Sequence, residues 1–425
     1  MQDFTFLDYN FDKNSLRAQF NYRGGDAENP LNFTEIVNFS ARAPIDFQKI
    51  SPTLDRALFL LFILIGTSYY KAFPTKKVSL STPITPQQAS FFNTVYQEGL
   101  SQFAYENHYK RENLAHFEGV TSKEPEKLPP LNSDNSYPLV LQSGGKDSLL
   151  TAELLNQSHT TWTALYISST NSHPKILDTT GAESLQIVQR KIDRDNLQAA
   201  TNLGAKNGHV PVTYINIAIA LVQAILNGQT SIITSIGHEG AEPHTIIKSE
   251  SEPDLLVNHQ WSKTLEAEQN LQEYLKYYIA PNFRVSSIIR QYSELKIAEL
   301  FAKNCWNKYG DKFSSCNQAN YQQSADNSKL HWCGNCAKCA NSYLLFAPFV
   351  KRESLDKLFN NQSLFENQDL VTDFKGLLGV DDQIKPFECV GEVAELRSAY
   401  HLKRQEYPNL PFSVPESDFD YNKTY

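Results

Sequence analysis

The segment Leu139-Val-Leu-Gln-Ser-Gly-Gly-Lys-Asp-Ser-Leu-Leu150 constrains this chain more than any other. A short apolar run leads into two adjacent glycines, and a helix is expected to follow over Asp147–Asn156. Glycine tolerates the backbone angles of a sharp turn, and without Cβ atoms the turn can bring its N–H groups close to a ligand. Asp147 or Ser148 can cap the next helix, whose N-terminus attracts anions. Ser143 and Ser148 add hydroxyls, and Lys146 adds positive charge. A buried strand, a glycine turn and a helix in immediate succession form a phosphate cradle built into a parallel sheet. The spacing is not that of the longer G-x-x-x-x-G-K-[ST] loop.

The flanking chain supports a parallel sheet. Trp162–Ser168, Val210–Ile217 and Ser231–Ile236 are predicted strands. Ile187–Leu203, Ile217–Leu226 and Ile288–Asn304 are predicted helices. Strands alternating with helices imply a sheet covered on both faces. Before this region, Phe4–Tyr9 and Ser15–Tyr22 alternate as half-buried strands do, and helical patterns run near Asp55–Ile65 and Gln87–Asn107. The polar, proline-bearing stretch 121–136 has the composition of a linker. The expected class is α/β. It comprises an N-terminal α+β domain over 1–120, a linker over 121–136, a parallel-sheet nucleotide-binding domain over 137–304, and a Cys-rich metal segment with a tail over 305–425.

The 39 basic and 47 acidic residues give a formal charge of −8 without a Lys/Arg-rich block, so no nucleic-acid partner is expected. Residues 1–10 carry Asp3 and Asp8 and no apolar core, so a cytoplasmic location is expected. The apolar run Ala57–Ile65 is far shorter than the ~20 residues that span a bilayer. It is expected to be a buried helix, and no membrane association is expected. Three of the six cysteines lie between Cys333 and Cys339, a clustering that points to a metal more than to disulfides. Cys333-Gly-Asn-Cys336-Ala-Lys-Cys339 supplies three thiolates, and Cys316 is the natural fourth ligand. Four thiolates suit structural Zn²⁺, although similar spacing also holds iron–sulfur clusters.

Ser143-Gly-Gly-Lys-Asp-Ser148 resembles the signature of the PP-loop ATP pyrophosphatases, which have an adenine nucleotide alpha hydrolase-like fold. The resemblance implies that Ser143, Gly144, Gly145, Lys146, Asp147 and Ser148 bind ATP and that ATP is cut between its α and β phosphates. PP-loop enzymes making 7-cyano-7-deazaguanine have a comparable cysteine cluster. A narrower resemblance rests on Gly66-Thr-Ser-Tyr-Tyr-Lys-Ala72, Asn207-Gly-His-Val-Pro-Val-Thr213, Val257-Asn-His-Gln-Trp-Ser-Lys263 and Phe313-Ser-Ser-Cys-Asn317. Trp332-Cys-Gly-Asn-Cys-Ala-Lys-Cys339 and Lys385-Pro-Phe-Glu-Cys-Val-Gly391 complete it. Together these segments are similar to the ATP-dependent UDP-N-acetylmuramoyl-L-alanyl-L-glutamate epimerases of peptidoglycan synthesis, over nearly the whole chain.

That resemblance implies adenylation of the terminal glutamate carboxylate of a nucleotide-sugar peptide and inversion of its Cα, with release of AMP and diphosphate. The chain departs from the family pattern at Ser143, where Gly is more usual, at Ala337, where Pro is usual, and over Gly237–Thr245. That last segment keeps Glu239 but lacks the following Arg, which leaves a related peptide open as substrate. Moving a Cα proton needs acids and bases within hydrogen-bond reach. Asp147, His259, Lys263, Glu388 and Cys389 are the catalytic candidates. Spacing of four would put His259 and Lys263 on one helix face, and likewise Arg290 and Glu294, where an ion pair is the simpler reading. Lys71, His209, Glu239 and Arg290 are candidates for binding substrate, and Asp147 and Glu239 for holding Mg²⁺. The alternatives are another PP-loop adenylating enzyme, of the deazaguanine or amide-forming type, and a non-catalytic ATP-binding regulator.

Overall fold

The structure is a computed structural model and describes residues 3–425 except 26–27, 122–125, 133–136, 239–240 and 323–327. One mixed sheet of nine strands organises the chain. In sequence order these are β1 (Phe4–Asp12), β2 (Arg17–Gly24), β3 (Leu31–Asn38), β4 (Val78–Leu80), β5 (Leu139–Leu141), β6 (Thr163–Ser168), β7 (Ser184–Lys191), β8 (Ser231–Thr234) and, after a separate two-stranded ribbon of β9 (Thr245–Ile247) and β10 (Leu255–Val257), β11 (Arg284–Ser287). The spatial order is β11-β8-β5-β6-β7-β3-β2-β1-β4. From β11 through β7 every neighbour is parallel; β7–β3, β3–β2 and β2–β1 are antiparallel. The class is α/β, as expected, and the strands on either side of the 121–136 segment share one sheet. At the junction Val37 stands opposite Arg190, and the Glu35 carboxylate, fully buried, pairs with Arg190 Nε at 2.6 Å and accepts from the Tyr69 hydroxyl at 2.8 Å. The paired charge and the extra hydrogen bond offset the desolvation of a carboxylate in the core.

The apolar run 57–65 lies inside α1 (Phe47–Tyr70), capped by Asp46. This helix is long and apolar enough to cross a membrane, but most of it is buried in the fold. It packs aromatic side chains against the antiparallel strands: Phe62 stacks on Tyr22 at 5.1 Å between centroids, and Tyr69 on Tyr22 at 5.2 Å. Gly66 is required for that approach, because a Cβ there would lie 2.5 Å from the Phe6 ring. Helices α2 (Pro86–Gln97) and α3 (Ser101–Glu106) follow, then α4 (Lys146–Gln157), α5 (Arg194–Asn202), α6 (Val212–Leu226), α7 (Leu265–Tyr274), α8 (Glu294–Asn304) and the short α9 (Trp306–Tyr309). The C-terminal part is helical: α10 (Ala337–Phe346), α11 (Arg352–Asp356), α12 (Val371–Leu378) and α13 (Val393–Leu402), packed with α8 around Tyr343, Phe346, Leu377 and Leu396.

Two expectations fail in the fold. Val210–Ile217 is not a strand: after Pro211 the chain enters α6 directly. Its alternating isoleucines mimic a strand period, but α6 is buried over nearly its whole length between α1 and the sheet, so apolar residues occupy every face. Ile187–Leu203 is not one helix. Residues up to Lys191 belong to β7, and Asp193 caps α5 by accepting from the Asn196 N–H at 3.1 Å. The predicted helix Ile288–Asn304 begins only at Glu294, where the Ser293 hydroxyl caps it.

Candidate active site

The phosphate loop lies at the C-terminal end of β5, in the crevice where parallel sheets bind ligands. Gly144 has φ +80°, and a Cβ there would meet Leu330 Cδ1 at 2.5 Å. The loop N–H groups are aimed inward and held by hydroxyls: Ser148 Oγ accepts from the N–H of Ser143 at 3.3 Å and of Gly144 at 3.2 Å. Ser315 Oγ accepts from the N–H of Lys146 at 3.4 Å. Donors gathered in this way at the start of α4 suit a polyphosphate. Gln142 Oε1 and Ser235 Oγ, just past β5 and β8, are buried with no protein partner among the described residues, and so remain free for a ligand.

Lys146 sits deeper than its charge alone suggests. It is 2% exposed, and its ammonium lies 2.5 Å from both Asp147 Oδ1 and Glu294 Oε2. Burial disfavours the charged form, but the two carboxylates outweigh it and hold its pKa above the ordinary lysine value. Glu294, the first residue of α8, is the partner sequence spacing assigned to Arg290 instead. Arg290 precedes α8 and pairs with Glu268 at 2.6 Å, while donating to the carbonyls of Gly237 and Lys263. Its guanidinium therefore braces the 237 loop. Glu239 lies outside the described residues.

The four cysteines converge. The Sγ atoms of Cys316, Cys333, Cys336 and Cys339 all lie within 4.8 Å of one another, with Cys316–Cys333 and Cys336–Cys339 at 3.5 Å, Cys333–Cys339 at 3.7 Å and Cys316–Cys336 at 3.8 Å. A tetrahedral ion with Zn–S bonds of ~2.3 Å places its sulfurs about 3.8 Å apart. The group therefore fits a metal ion. Backbone N–H groups of Ala319 and Asn335 point at Cys316 and Cys333 sulfur, each at 3.4 Å, as they do around thiolates.

Cys316 lies in a tripeptide with three separate attachments. Ser315 touches the phosphate loop, Cys316 joins the sulfur group, and Asn317 Nδ2 donates to Glu388 Oε2 at 3.0 Å. Glu388 leads into Cys389, whose Sγ stands 3.7 Å from His259 Nε2. His209 packs beside His259, tilted by 44° with centroids 4.3 Å apart, and His244 lies 6.4 Å from it. Lys71 closes the group by donating to the Gly208 carbonyl at 2.9 Å. Burial pushes His259 down to about 4, helped by Lys263, Lys338 and Lys385 against the opposing pull of Glu388. His209 is pushed to about 3 by burial and by His259 and Lys71, and His244 to about 4 by burial and by Lys385 and His259. Lys71 is lowered to about 8 by burial and Arg190. At neutral pH the imidazoles are bases, not cations. Gln260 Oε1, Asn341 Nδ2 and His244 Nδ1 are buried without a protein partner among the described residues.

The expected pairing of His259 and Lys263 on one helix is not seen, because His259 lies in a turn and Lys263 ends a 3₁₀ turn, Trp261–Lys263. Sequence reasoning does not single out Gln102, His244, Ser315 or Asn317, and it pairs Glu294 with Arg290 instead of Lys146. Ser315 and Asn317 flank a recognised cysteine, which is the one signal that could have found them. Gln102 carries none, since its partner is far away in the chain.

The chain matches the family profile of the MurL N-terminal domain over residues 1–288 and that of the MurL C-terminal domain over 312–409. It is 33% identical to the UDP-N-acetyl-alpha-D-muramoyl-L-alanyl-L-glutamate epimerase of Salinispora tropica over 401 residues, covering 93% of this chain and 83% of that protein. The epimerase of the same name from a Micromonospora species is 33% identical over 412 residues, 96% of this chain and 88% of that one. The one from Xanthomonas oryzae pv. oryzae is 33% identical over 347 residues, 81% and 74% of the two chains. With both family domains matched in order and relatives aligned along most of its length, the chain belongs to the MurL family.

Proposed function

We propose that this protein is an ATP-dependent epimerase that acts on UDP-N-acetyl-alpha-D-muramoyl-L-alanyl-L-glutamate and inverts its terminal glutamate. The observation that carries this reading is the attachment of a phosphate loop and a thiol–imidazole pair to the two sides of one tripeptide, Ser315-Cys316-Asn317. One side offers donors for a nucleotide, the other a base for a carbon acid, and the three relatives named above carry this activity in their names.

The chemistry follows from the acidity of the Cα–H. A free carboxylate resists loss of the neighbouring proton, because a second negative charge would accumulate beside the first. Attack of a carboxylate oxygen on the α phosphorus of ATP expels diphosphate and neutralises the carboxylate as an acyl phosphate ester. Cys389, with His259 accepting its thiol proton, then takes the Cα proton, and the electron pair is held on the acyl oxygen as an enolate. A proton delivered from solvent water to the opposite face gives the D centre, and water cleaves the acyl–phosphate bond to release AMP. Ser143 to Ser148 orient the phosphates, and Asp147 would hold Mg²⁺, which would neutralise charge on the diphosphate. Lys71 and His209 would meet the anionic part of the substrate. Cys316, Cys333, Cys336 and Cys339 would hold Zn²⁺ as a structural ion, fixing the tripeptide and supplying no open coordination position.

The test is incubation with ATP and UDP-N-acetylmuramoyl-L-Ala-L-Glu in D₂O. Diphosphate release, deuterium at the glutamate Cα and D-glutamate on chiral analysis are expected together. Diphosphate release without inversion overturns the epimerase assignment and leaves adenylation standing.

A further inference from the structure

We infer that Gln102 is a positioning residue for proton transfer, fixing the tautomer of His259 so that its basic nitrogen faces Cys389. The inference rests on the reading of Cys389 and His259 as the proton-moving pair. It concerns residues of α3, which are remote in sequence from that pair.

The argument begins at Glu106. Its carboxylate can only accept, and Gln102 Nε2, one helical turn away, donates to Glu106 Oε1 at 2.8 Å. This commits the amide nitrogen of Gln102 and leaves Oε1 on the opposite side. Gln102 is 6% exposed, so water does not compete for that oxygen. Oε1 lies 2.6 Å from His259 Nδ1. A carbonyl oxygen only accepts, so Nδ1 must carry the hydrogen. In a neutral imidazole the other nitrogen is then unprotonated. That nitrogen, Nε2, is the one 3.7 Å from Cys389 Sγ, within reach of a thiol proton.

The other tautomer would turn two lone pairs toward each other across 2.6 Å and present an N–H to the thiol, which would leave Cys389 no acceptor. The His209 ring, tilted by 44° with its centroid 4.3 Å away, packs against His259 and limits the room in which it can rotate. Burial keeps His259 neutral at ordinary pH, so the tautomer question is a real one. The charged and titratable groups facing His259 are Glu388, Lys263, Lys338 and Lys385, with His209 and His244 beside it and Lys71 behind His209. Glu388 is the one carboxylate among them, and it is held by Asn317. Among the described residues no charged group supplies an acceptor at Nδ1, and Gln102 Oε1 does so.

Three variants of the full-length protein test this: Gln102→Leu, the near-isosteric Gln102→Glu combined with Glu106→Gln, and Glu106→Gln alone. The readouts are the ¹⁵N chemical shifts of His259, and the pH profile of iodoacetamide alkylation mapped to Cys389 by peptide mass spectrometry. Neither depends on substrate turnover. The unaltered protein is expected to show the Nδ1–H tautomer alone. Gln102→Leu should populate both tautomers and slow Cys389 alkylation near pH 7 by about tenfold, the effect of about one pKa unit. Gln102→Glu, made together with Glu106→Gln so that two carboxylates are not set against each other, should restore the Nδ1–H tautomer and move the alkylation profile to lower pH by about one unit, because a carboxylate favours the imidazolium. Glu106→Gln, which releases the amide to flip, should give mixed tautomers with the fold intact. Unchanged ¹⁵N shifts and an unchanged alkylation profile in both Gln102 variants would overturn the inference. Failure of the underlying reading is distinct: a Cys389→Ser protein would then exchange the substrate Cα proton with solvent at the unaltered rate, whatever the tautomer of His259.

Discussion

Ser143 to Ser148 occupy consecutive positions on one strand–helix junction, whereas Gln102, His209, His259 and Cys389 come from four segments far apart in the chain. The loop is a local object. Gly145 stands at the N-cap of α4 with no side-chain cap, in place of the expected Asp147 or Ser148, and the two glycines and the Ser148 hydroxyl, which accepts from the Ser143 and Gly144 N–H groups, produce the loop's geometry. The cluster is a tertiary object: its side chains come from separate segments, and burial keeps its imidazoles uncharged. The difference teaches that the proposed phosphate site is inherited from a short backbone pattern, while the proposed carbon-acid site is assembled by packing around it. The Ser315-Cys316-Asn317 tripeptide joins the two, held in place by the sulfur group.

This comparison can be broken by separating the two halves. Cys389→Ala should reduce deuterium exchange at the substrate Cα by about 10³-fold, within the usual range for losing a positioned base, while diphosphate release falls less than about tenfold. Equal loss of both would mean that the cluster also serves adenylation. Gly144→Ala is the converse. A Cβ at φ +80° against Leu330 displaces the loop, and misplacement on the order of 1 Å costs about 10²-fold, so diphosphate release and exchange should fall together. Selective loss of exchange would place the loop's role elsewhere.

Glu294→Gln sharpens the picture of how the loop is anchored. It removes one of two carboxylates from the buried Lys146 ammonium, and breaking a buried pair costs about 3 kcal/mol. Denaturant unfolding should show that loss, and a value under about 1 kcal/mol would mean that Asp147 alone satisfies the lysine. The cluster has its own signature in pH. Burial holds His209 near 3 and His244 and His259 near 4, against an ordinary value of 6.5. Below pH 6.5 the unfolded chain takes up protons that the folded cluster refuses, so stability falls as pH drops toward 4. Glu395 works the other way between 4.5 and 8, because burial raises its carboxyl to about 8 and the folded state then holds the extra proton. The balance is on the order of 2 kcal/mol lost between pH 6 and 5. His244→Phe should flatten that slope and Glu395→Gln should steepen it, both measurable by thermal unfolding across pH.

Periodicity was reliable where one face of an element is buried and misleading where all faces are. The half-buried strands β1 and β2 were legible from alternation. The fully buried α6 reads in part as a strand, because its isoleucines alternate and an element apolar on every face shows no helical stripe. The break between β7 and α5 was missed because its one local signal, Asp193, sits inside a continuous periodic pattern. Among the candidate residues, Lys71, His209, His259, Glu388 and Cys389 do gather in one place, while Lys263 and Arg290 lie at its edge, joined by a backbone contact.

The phosphate loop, the sulfur ligands and the family were determined by sequence alone, because each is carried by residue types at short fixed spacings whose geometry the backbone dictates locally. The partner of Lys146, the tripeptide that ties the loop to Glu388, and the hydrogen bond from His259 to Gln102 were decided only by the tertiary structure. Those contacts join side chains up to 157 positions apart. Their chemistry depends on burial, and burial is a property of the packed chain and of no single segment.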